Sequence, residues 1–469
     1  MKGGLEVLIV EAGRRVGGNI RTDHVGGFMI ERGPNGYVDD VPAMARLVDR
    51  LDLGSELQRA AKRASKRFLY RNHQLHLLPT GPLGLLSSSV LSVPGRLRAF
   101  LEPFARSKPD GIDETIHEFA RRRIGSEAAE VLIDAMVSGV CAGDTRKLSL
   151  ASTFPKIAAM EEAHGSLVWA MVSRMCEWRT AKRRVRELTQ RGEGIEEMTC
   201  SGGPAGPRGT LTSFKRGLDV LIERLVAELG EAIRLDSSVT TIKPSLAGSS
   251  VGAGGQSSAC APRWKIVTAA GEPLEADAVL VATPSPRAAP LLKGIDRTLG
   301  EALEAIPSAG LAVIALGFGA SAVSEPPDGF GFLVPRSEGL RSLGCLWDSS
   351  IFPGRAPDGK VLLRVMIGGA HDPQAVELED ATLISVVRQD LATAMSLTAE
   401  PSFIRIYRHC PGIAQYEGGH QDRLDIIAER LGKLPGLWVA GSSFFGVSMN
   451  ACVETAEHQA EEILRFLNS

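Results

Sequence analysis

Near the start of the chain, Glu11 ends a short β-branched run and is followed by Arg15 and the pair Gly17-Gly18. The run over residues 5–10 is typical of a buried parallel strand, so Glu11 is expected at the carboxyl end of that strand. In a dinucleotide-binding fold, an acidic residue at this place accepts hydrogen bonds from a ribose. Glycines allow positive φ angles and close approach of the backbone to a ligand. A purely structural strand with a surface turn explains this stretch equally well when it is taken alone.

Length and charge limit the classes of function. A chain of 469 residues is too long for one hydrophobic core and predicts two or three domains. Lysine and arginine number 53 against 55 acidic residues, so no strong net field attracts nucleic acid. No basic stretch with interleaved aromatic residues is present either, and we expect no nucleic-acid partner.

Cysteine spacing and apolar runs indicate the compartment. The seven cysteines are scattered, without a C-x-x-C pair, so neither a metal site nor a disulfide scaffold is expected. No run of about 18 apolar residues occurs, which predicts no transmembrane helix, and no signal peptide is visible. Residues 75–104 are apolar but broken by prolines and glycines, and they are expected either to line a pocket or to lie on a membrane surface. We expect a cytoplasmic protein, with peripheral contact to the inner face of the cell membrane as the second alternative.

The elements that must position a site are predicted from apolar periodicity. Both ends of the chain alternate strands with helices, whereas the middle contains a helical block and then a β-rich block. The predicted fold class is α/β with α+β insertions, in which separate segments assemble a dinucleotide-binding fold around a helical domain and a β-rich domain. The expected segments are 1–75, 211–295 and 411–469 for the dinucleotide-binding fold, 76–210 for the helical domain and 296–410 for the β-rich domain. Individual predictions include a hairpin at 68–78, a polar linker at 180–209, a helix at 214–229, a strand within 230–243, a Gly/Ser/Ala tract at 246–261 and a final helix at 449–467.

Several short strings follow one another in an order that is specific as a set. They are E-x-x-x-R-x-G-G-x-x-R at 11–21, RFLY at 67–70 with LPTG at 78–81, GVCAGD at 139–144, DGFGFLVP at 328–335, PGIAQY at 411–416 and GVSMN at 446–450. Together they resemble the protoporphyrinogen and coproporphyrinogen oxidases, which are flavoproteins of the amine oxidase clan. The resemblance covers nearly the whole chain.

This resemblance implies a reaction and a substrate site. The reaction is FAD-dependent oxidation of protoporphyrinogen IX or coproporphyrinogen III to the porphyrin, in haem biosynthesis, with dioxygen as the acceptor. Hydride would pass from a bridging methylene carbon to the flavin, so no side chain is assigned as catalytic acid or base. Arg67 would hold a propionate, since a guanidinium can bind a carboxylate through two hydrogen bonds. Phe330, Leu333 and Met366 would wall the macrocycle, and Gly331 would let it approach the backbone.

The resemblance also implies a set of flavin contacts. Glu11 would bind the adenosine ribose, Arg15 the phosphate region, and Val239 would lie near the adenine. The residues expected to line the flavin are Gly17, Gly18 and Asn19; those expected beside the isoalloxazine are Arg32, Gly33, Pro34 and Asn35; and those expected at its pyrimidine edge are Gly441, Val447, Ser448 and Met449. Ala451 departs from the family, which often has Asp there. A homodimer formed through the flavin-binding segments is expected.

The amino terminus is the largest departure. The family begins with a strand and a G-x-G-x-x-G loop about two dozen residues before the position of Glu11, whereas this sequence starts at Met1-Lys2-Gly3-Gly4. We expect a start assigned too late, with a genuine truncation as the alternative. Two other functions remain open from the residues: a different flavoenzyme of the amine oxidase clan, and a non-catalytic tetrapyrrole-binding protein.

Overall fold

The computed structural model describes residues 4–79, 84, 88–108, 111–171, 173, 209–245, 263–323 and 327–469. Its strands are β1 (Ile9–Val10), β2 (Thr22–Val25), β3 (Phe28–Glu31), β4 (Tyr37–Val38), β5 (Leu57–Arg59), β6 (Arg67–Arg71), β7 (Gln74–Leu77), β8 (Leu211–Phe214), β9 (Ile233–Arg234), β10 (Val239–Pro244), β11 (Trp264–Thr268), β12 (Pro273–Ala276), β13 (Val279–Val281), β14 (Ser308–Gly319), β15 (Gly331–Leu333), β16 (Ser342–Leu346), β17 (Lys360–Gly368), β18 (Phe403–Ala414) and β19 (Leu437–Val439). Its α-helices are α1 (Pro42–Arg50), α2 (Val93–Phe100), α3 (Ile116–Ile124), α4 (Ser126–Ala128), α5 (Asp134–Cys141), α6 (Leu150–Thr153), α7 (Pro155–His164), α8 (Asp219–Leu229), α9 (Ser285–Lys293), α10 (Arg297–Glu304), α11 (Asp348–Ile351), α12 (Asp380–Met395), α13 (His420–Gly432) and α14 (Met449–Leu467).

Two parallel strand pairs form the dinucleotide-type part. β1 pairs with β9, and β13 pairs with β19, so each pair joins segments that are far apart in the sequence. The strand predicted as buried over residues 5–10 is present only as Ile9–Val10, which is partly buried, while Val7 and Leu8 are 40% and 44% exposed. The predicted final helix, α14, is present. These pairings confirm an α/β fold that is assembled from separate parts of the chain.

A seven-stranded sheet forms the β-rich part, in the order β18-β14-β17-β16-β15-β6-β7. Neighbouring strands are antiparallel except for β15 and β6, which run parallel. One face of the sheet packs against α12 through Leu383, Val387 and Leu391, and the other face packs against Phe28 and Ile30 of the β2–β3 hairpin. Because both faces are covered, the central strand β14 is a nearly continuous apolar run.

The hairpin predicted at 68–78 is confirmed as β6 and β7. It is hydrogen-bonded into the seven-stranded sheet through the parallel pairing of Phe68 with Phe332 and of Leu69 with Leu333. The helical block packs beside this end of the sheet, where Leu69 contacts a cluster that includes Val131 and Ala135. The hairpin therefore connects the sheet with the helices.

Two boundaries differ from those expected. The helix predicted at 214–229 begins at Asp219, because Phe214 ends strand β8, where it pairs with Leu57 and is fully buried. The strand expected within 230–243 is two strands, β9 and β10, preceded by a 3-10 turn at Gly230–Ala232. The linker at 180–209, apart from residue 209, and the tract at 246–261 lie outside the described residues.

Candidate functional site

A cationic cavity of about 220 Å³ lies where the first turn of the chain meets strand β18. The residues that line it are Arg15, Gly18, Asn19, Arg21, Arg32 and His409. Four of these six were predicted from the sequence as flavin contacts. Arg21 was missed although it closes the first quoted string, and His409 was missed because its place beside the turn depends on sheet packing. The three arginines pair with only two carboxylates, those of Asp219 and Asp23, and this excess of positive charge favours an anionic ligand such as a phosphate group.

The first turn is held by its own polar side chains. Arg15 Nη2 donates to Asp219 Oδ1 at 2.6 Å, at the start of α8, and the turn over Gly17 closes with a 3.0 Å bond from the Ile20 amide to the Gly17 carbonyl. Glu11 Oε1 accepts from the Gly13 amide at 2.7 Å. The Ser237 amide donates to the Glu11 carbonyl, which places the start of β10, Val239, at the same end of the β1–β9 pair.

The second predicted turn, Arg32 to Asn35, touches the first one. A Cβ atom added to Gly33 would lie less than 3.0 Å from the Asn19 carbonyl oxygen, so the two turns are in direct backbone contact. Pro34 follows within this turn. The structure therefore brings together the two predicted stretches, one around Asn19 and one around Gly33, and both contribute residues to the wall of the cavity.

Replacing Gly33 by Ala is expected to weaken flavin binding by about tenfold, because the new methyl group must push the two turns apart against backbone rather than against a movable side chain. A suitable measurement is the dissociation constant of FAD from quenching of its fluorescence. Gly54→Ala is the matched control, since a Cβ atom there meets nothing within 4 Å. Equal affinities for the two variants would contradict the expected contact.

Arg32 is fixed by partners on the hairpin and on β18. Its Nε donates to Asp23 Oδ1 and its Nη2 lies beside Asp23 Oδ2, both at 2.8 Å. The guanidinium carbon is 4.9 Å from the centre of the Tyr407 ring, and the Tyr407 hydroxyl donates to Asp23 Oδ2 at 3.0 Å. Burial works to raise the pKa of Asp23, but the hydrogen bonds from Arg32 and Tyr407 outweigh it and lower that pKa. His409 Nε2 lies 2.8 Å from the Arg32 carbonyl oxygen and holds its backbone.

Asn35 supplies a test of whether a cofactor fits here. Its side-chain Nδ2 and Oδ1 are both buried, and within the described part of the chain neither has a hydrogen-bond partner. An unsatisfied buried amide costs about 1–3 kcal/mol, so such a group is normally paired with a ligand or water. A side-chain amide, whose NH2 group donates and whose oxygen accepts, suits the edge of a heterocyclic ring, and the adjacent cationic cavity suits a phosphate. The residues present fit a flavin nucleotide.

The carboxyl-terminal turn lies next to the same region. The Tyr416 hydroxyl donates to the Ser442 carbonyl at 2.7 Å and accepts from the Gly446 amide at 2.8 Å, so one side chain bridges the turn that begins at Gly441. Asn450 Nδ2 donates to the Val38 carbonyl at 2.8 Å, on the strand that follows Asn35. Sequence reasoning quoted Tyr416 within a string but assigned it no role.

The amino end of helix α14 carries the last three predicted flavin contacts, Val447, Ser448 and Met449. Ser448 is the N-cap, and its Oγ accepts from the Ala451 amide at 3.1 Å. Met449 packs beside a buried cluster of α1 and α8 residues. The remaining free amides at a helix start carry a partial positive charge, which favours an electron-rich ligand edge.

Four of the five predicted substrate residues share one face of the seven-stranded sheet, while Phe330 lies just before β15. In one row, Arg67 pairs with Gly331, and Gly331 with Leu346. In the next row on that face, Leu333 pairs with Gly344, and Gly344 with Met366. Paired residues project to the same side of a sheet, and so do residues two apart on one strand. Arg67, Gly331, Leu333 and Met366 are therefore neighbours on one surface.

Arg67 is the charged group of this surface. It is open to solvent on one side, yet desolvation by the surrounding protein lowers its pKa. Its guanidinium carbon lies 5.1 Å from the centre of the Phe330 ring, and no carboxylate within the described residues pairs with it. Its neighbour Lys66, in contrast, pairs with Asp328. A partly desolvated cation without a counter-ion, placed on an aromatic ring, suits an apolar ligand that carries a carboxylate.

Gly331 has a reason to be glycine besides ligand approach. Its φ is +134°, and an added Cβ atom would lie less than 3.0 Å from the Cys345 carbonyl oxygen of β16. The close pairing of β15 with β16 thus already excludes a side chain at this position. Its predicted contact with a macrocycle stays a prediction.

Comparison with known proteins shows which sequences and structures this chain resembles. Residues 1–464 match the family model described as flavin containing amine oxidoreductase. Coproporphyrinogen III oxidase of Bacillus subtilis is 30% identical, with 99% of this chain and 93% of that protein aligned. Protoporphyrinogen oxidase of Bos taurus is 32% identical, with 98% and 93% aligned. A crystal structure of a candidate protoporphyrinogen oxidase from Exiguobacterium superposes with a TM-score of 0.75 at 27% identity, over 97% of this chain and 92% of that one.

Proposed function

The chain belongs to the flavin containing amine oxidoreductase family, and from that membership we propose that it is an FAD-dependent porphyrinogen oxidase. Relatives that align over almost their whole length carry the names of coproporphyrinogen III and protoporphyrinogen oxidases. The observation that carries the proposal is the Arg67 guanidinium, which has no carboxylate partner among the described residues and lies over the Phe330 ring, on the sheet face that also carries Leu333 and Met366. A porphyrinogen is an apolar macrocycle with propionate side chains, and this surface offers an apolar wall with one available cation.

The bound flavin would supply the redox chemistry by accepting hydride from a methylene carbon of the macrocycle, with dioxygen as the final acceptor. The side chains of this protein would bind and orient the macrocycle and would exclude water from it. Arg67 would hold a propionate through two hydrogen bonds and so fix the rotation of the macrocycle. Leu333 and Met366 would keep water away from the reacting face of the macrocycle, which protects the reacting carbon from side reactions with solvent.

We propose the cofactor contacts in the same way. Arg15, Arg21 and Arg32 would face the phosphate region and neighbouring parts of FAD, and Asn35 would bond the ring edge. The other proposed contacts are Glu11, Gly17, Gly18, Asn19, Gly33, Pro34, Val239, Gly441, Val447, Ser448 and Met449. The division into flavin-binding segments 1–75, 211–295 and 411–469, a helical domain 76–210 and a substrate-binding domain 296–410 belongs to this proposal.

The function is tested by supplying the purified protein with FAD and adding protoporphyrinogen or coproporphyrinogen in separate reactions. Porphyrin fluorescence should rise in air with matching oxygen uptake, and the reaction should stop without oxygen. The ratio of kcat/KM values identifies the preferred macrocycle. Flavin reduction by a simple primary amine, with neither porphyrinogen oxidised, would instead assign the chain to an amine-oxidising branch of the family. Porphyrin binding without flavin binding or turnover would point to a non-catalytic tetrapyrrole-binding protein.

An exposed apolar face on α2 and on the 3-10 turn that follows it, Glu102–Phe104, supports peripheral membrane contact. Val93, Leu97, Leu101 and Phe104 follow helical spacing and are 60%, 59%, 53% and 83% exposed. Among the described residues, no helix is long and apolar enough to cross a bilayer. Burial of a large apolar side chain contributes about 1.5–3 kcal/mol, so the double variant Leu97→Ser, Phe104→Ser should reduce co-flotation with lipid vesicles by tenfold or more, on the order expected from that energy.

Val226→Ser is the matched control for this membrane prediction, because Val226 is 39% exposed on α8, outside the apolar face. Vesicle binding that falls equally in both variants, or that is absent from the unaltered protein, would contradict a membrane role.

The homodimer is a separate prediction, and light scattering of the flavin-loaded protein would give twice the chain mass.

A further inference from the structure

A buried arginine on β17 connects the two halves of the candidate site. Arg364 has a side chain that is 2% exposed. It pairs with Leu346 in the row of Arg67 and Gly331, and it lies two residues before Met366 on the same face of the sheet. The even-numbered positions of β17 thus present a cation and a predicted wall residue side by side. Arg364 was not singled out from the sequence, where it stands inside an apolar run.

The guanidinium of Arg364 donates hydrogen bonds to backbone carbonyls at the start of the Arg32–Asn35 turn. Its Nη1 donates to the Glu31 carbonyl at 2.6 Å and to the Gly33 carbonyl at 3.0 Å. Because Nη1 carries two hydrogens, it can serve both carbonyls at once. The two carbonyls flank Arg32, so this contact sets where the backbone of Arg32 and Gly33 lies. Because both bonds go to backbone carbonyls, they fix the position of the backbone and do not depend on the Arg32 side chain.

The charge of Arg364 is balanced on the side away from the turn. Its Nε lies 2.9 Å from Asp348 Oδ2, and its Nη2 donates to Asp348 Oδ1 at 3.4 Å. Desolvation raises the pKa of the buried Asp348 carboxyl, while the charges of Arg364 and Arg355 act to lower it. Burying such a pair is costly, and apolar residues of similar volume often stabilise a fold as well or better. A stability role alone therefore gives little reason for a guanidinium here, whereas the directed contact with two carbonyls does.

We infer that Arg364 is a positioning residue, which holds the Arg32–Asn35 turn at the distance from the sheet that FAD and a porphyrinogen require together. The inference rests on the proposed function for its ligands. It implies that strand β17 both carries Met366 and holds the flavin-facing turn. The distance between the substrate wall and the cofactor would then be set by one strand. Loss of Arg364 should then weaken flavin binding and lower kcat, while the KM for porphyrinogen changes little.

The test compares Arg364→Met and Arg364→Lys with a buried arginine elsewhere. Arg123 is the matched control, since it is fully buried, pairs with Glu102 and donates to the carbonyls of Ala105 and Gly165 at 3.3 and 2.8 Å. Two readouts besides turnover are used: the FAD dissociation constant, from quenching of flavin fluorescence, and deuterium exchange of the peptide that covers residues 28–37.

Arg364→Met should weaken FAD binding by about 10- to 100-fold, since charged hydrogen bonds to two carbonyls are lost, and should speed exchange over residues 28–37. Arg364→Lys, which keeps the charge and can reach a carbonyl, should restore part of the affinity. Arg123→Met should lower the unfolding midpoint but leave both readouts unchanged. Unchanged FAD affinity and unchanged exchange in Arg364→Met, at a temperature where the variant is folded, would overturn the inference. FAD binding that depends on Arg364, in a chain that oxidises neither porphyrinogen, would overturn the proposed function and the porphyrinogen part of the inference, and would leave Arg364 as a positioning residue for the flavin-facing turn alone.

Discussion

Replacement of Arg67 by Met is expected to lower kcat/KM for a porphyrinogen by about 10- to 100-fold. A hydrogen bond to a charged group contributes about 1.5–3 kcal/mol, and about 1.4 kcal/mol corresponds to a factor of ten. Because Arg67 lies over the Phe330 ring and has no carboxylate partner among the described residues, its removal leaves no protein charge unpaired. The loss should therefore appear mainly in KM, as expected for an interaction made equally in the bound substrate and the transition state.

Two further variants sharpen this prediction. Arg67→Lys keeps the charge but loses the planar two-point contact, so an intermediate KM is expected. Lys66→Met is the matched control, because the Lys66 ammonium is adjacent in sequence but already paired with Asp328 on the exposed surface. Steady-state kinetics with each porphyrinogen should show KM close to that of the unaltered protein for Lys66→Met. A KM that rises equally in Lys66→Met and Arg67→Met would mean that general positive charge, and not the geometry of Arg67, attracts the substrate.

Replacement of Glu31 by Ala is expected to destabilise the fold by about 3–5 kcal/mol, the usual cost of removing one member of a buried ion pair. The carboxylate is 1% exposed and faces Arg355, which is equally buried, at 2.7 Å. It also accepts from Thr22 Oγ1 at 2.8 Å and from the Leu218 amide at 2.9 Å. Without Glu31, the Arg355 cation would remain in the interior with only the Ser213 hydroxyl as a described hydrogen-bond acceptor.

Urea unfolding followed by far-ultraviolet circular dichroism would measure this loss. Glu31→Gln keeps the shape of the side chain and should be less damaging than Glu31→Ala. Glu301→Ala is the control, since Glu301 forms an exposed pair with Arg297 one helical turn away, and such pairs contribute little to stability. Equal unfolding midpoints for Glu31→Ala and Glu301→Ala would show that the buried cluster does not hold the hairpin, α8 and the sheet together.

Glu31 and Arg364 should not behave as independent sites. The Glu31 carbonyl accepts from Arg364 while the Glu31 carboxylate accepts from Arg355, so both arginines act on one residue at the end of β3. Residues within one hydrogen-bond network commonly show non-additive effects in double variants. The free energy lost in the combined Glu31→Gln, Arg364→Met variant is therefore expected to differ from the sum of the single losses.

The cationic cavity was partly predictable because several of its residues are close in the sequence. Arg15, Gly18, Asn19 and Arg32 lie within two neighbouring turns, and the glycines and the terminal Glu11 mark such turns by their backbone chemistry. His409 lines the cavity from β18, because Tyr407 and His409 are two residues apart and therefore lie on the same face of the strand, the one that meets the β2–β3 hairpin. No local pattern distinguishes that face, since both faces of the sheet are covered and the apolar periodicity is weak.

Local signals in the chain were sufficient for the α/β class, the hairpin at Arg67–Leu77, the final helix and the turns that bear Arg15 and Arg32, because each depends on periodicity or on residues with special backbone preferences. The parallel pairing of β6 with β15, which aligns Arg67 with Gly331, depends on register between strands about 260 residues apart and is set by side-chain packing. The same holds for Arg364, whose role follows from contacts with carbonyls of residues 31 and 33. Backbone carbonyls are alike at every position, so a sequence cannot show which of them a distant guanidinium will meet; the packed structure alone makes that choice.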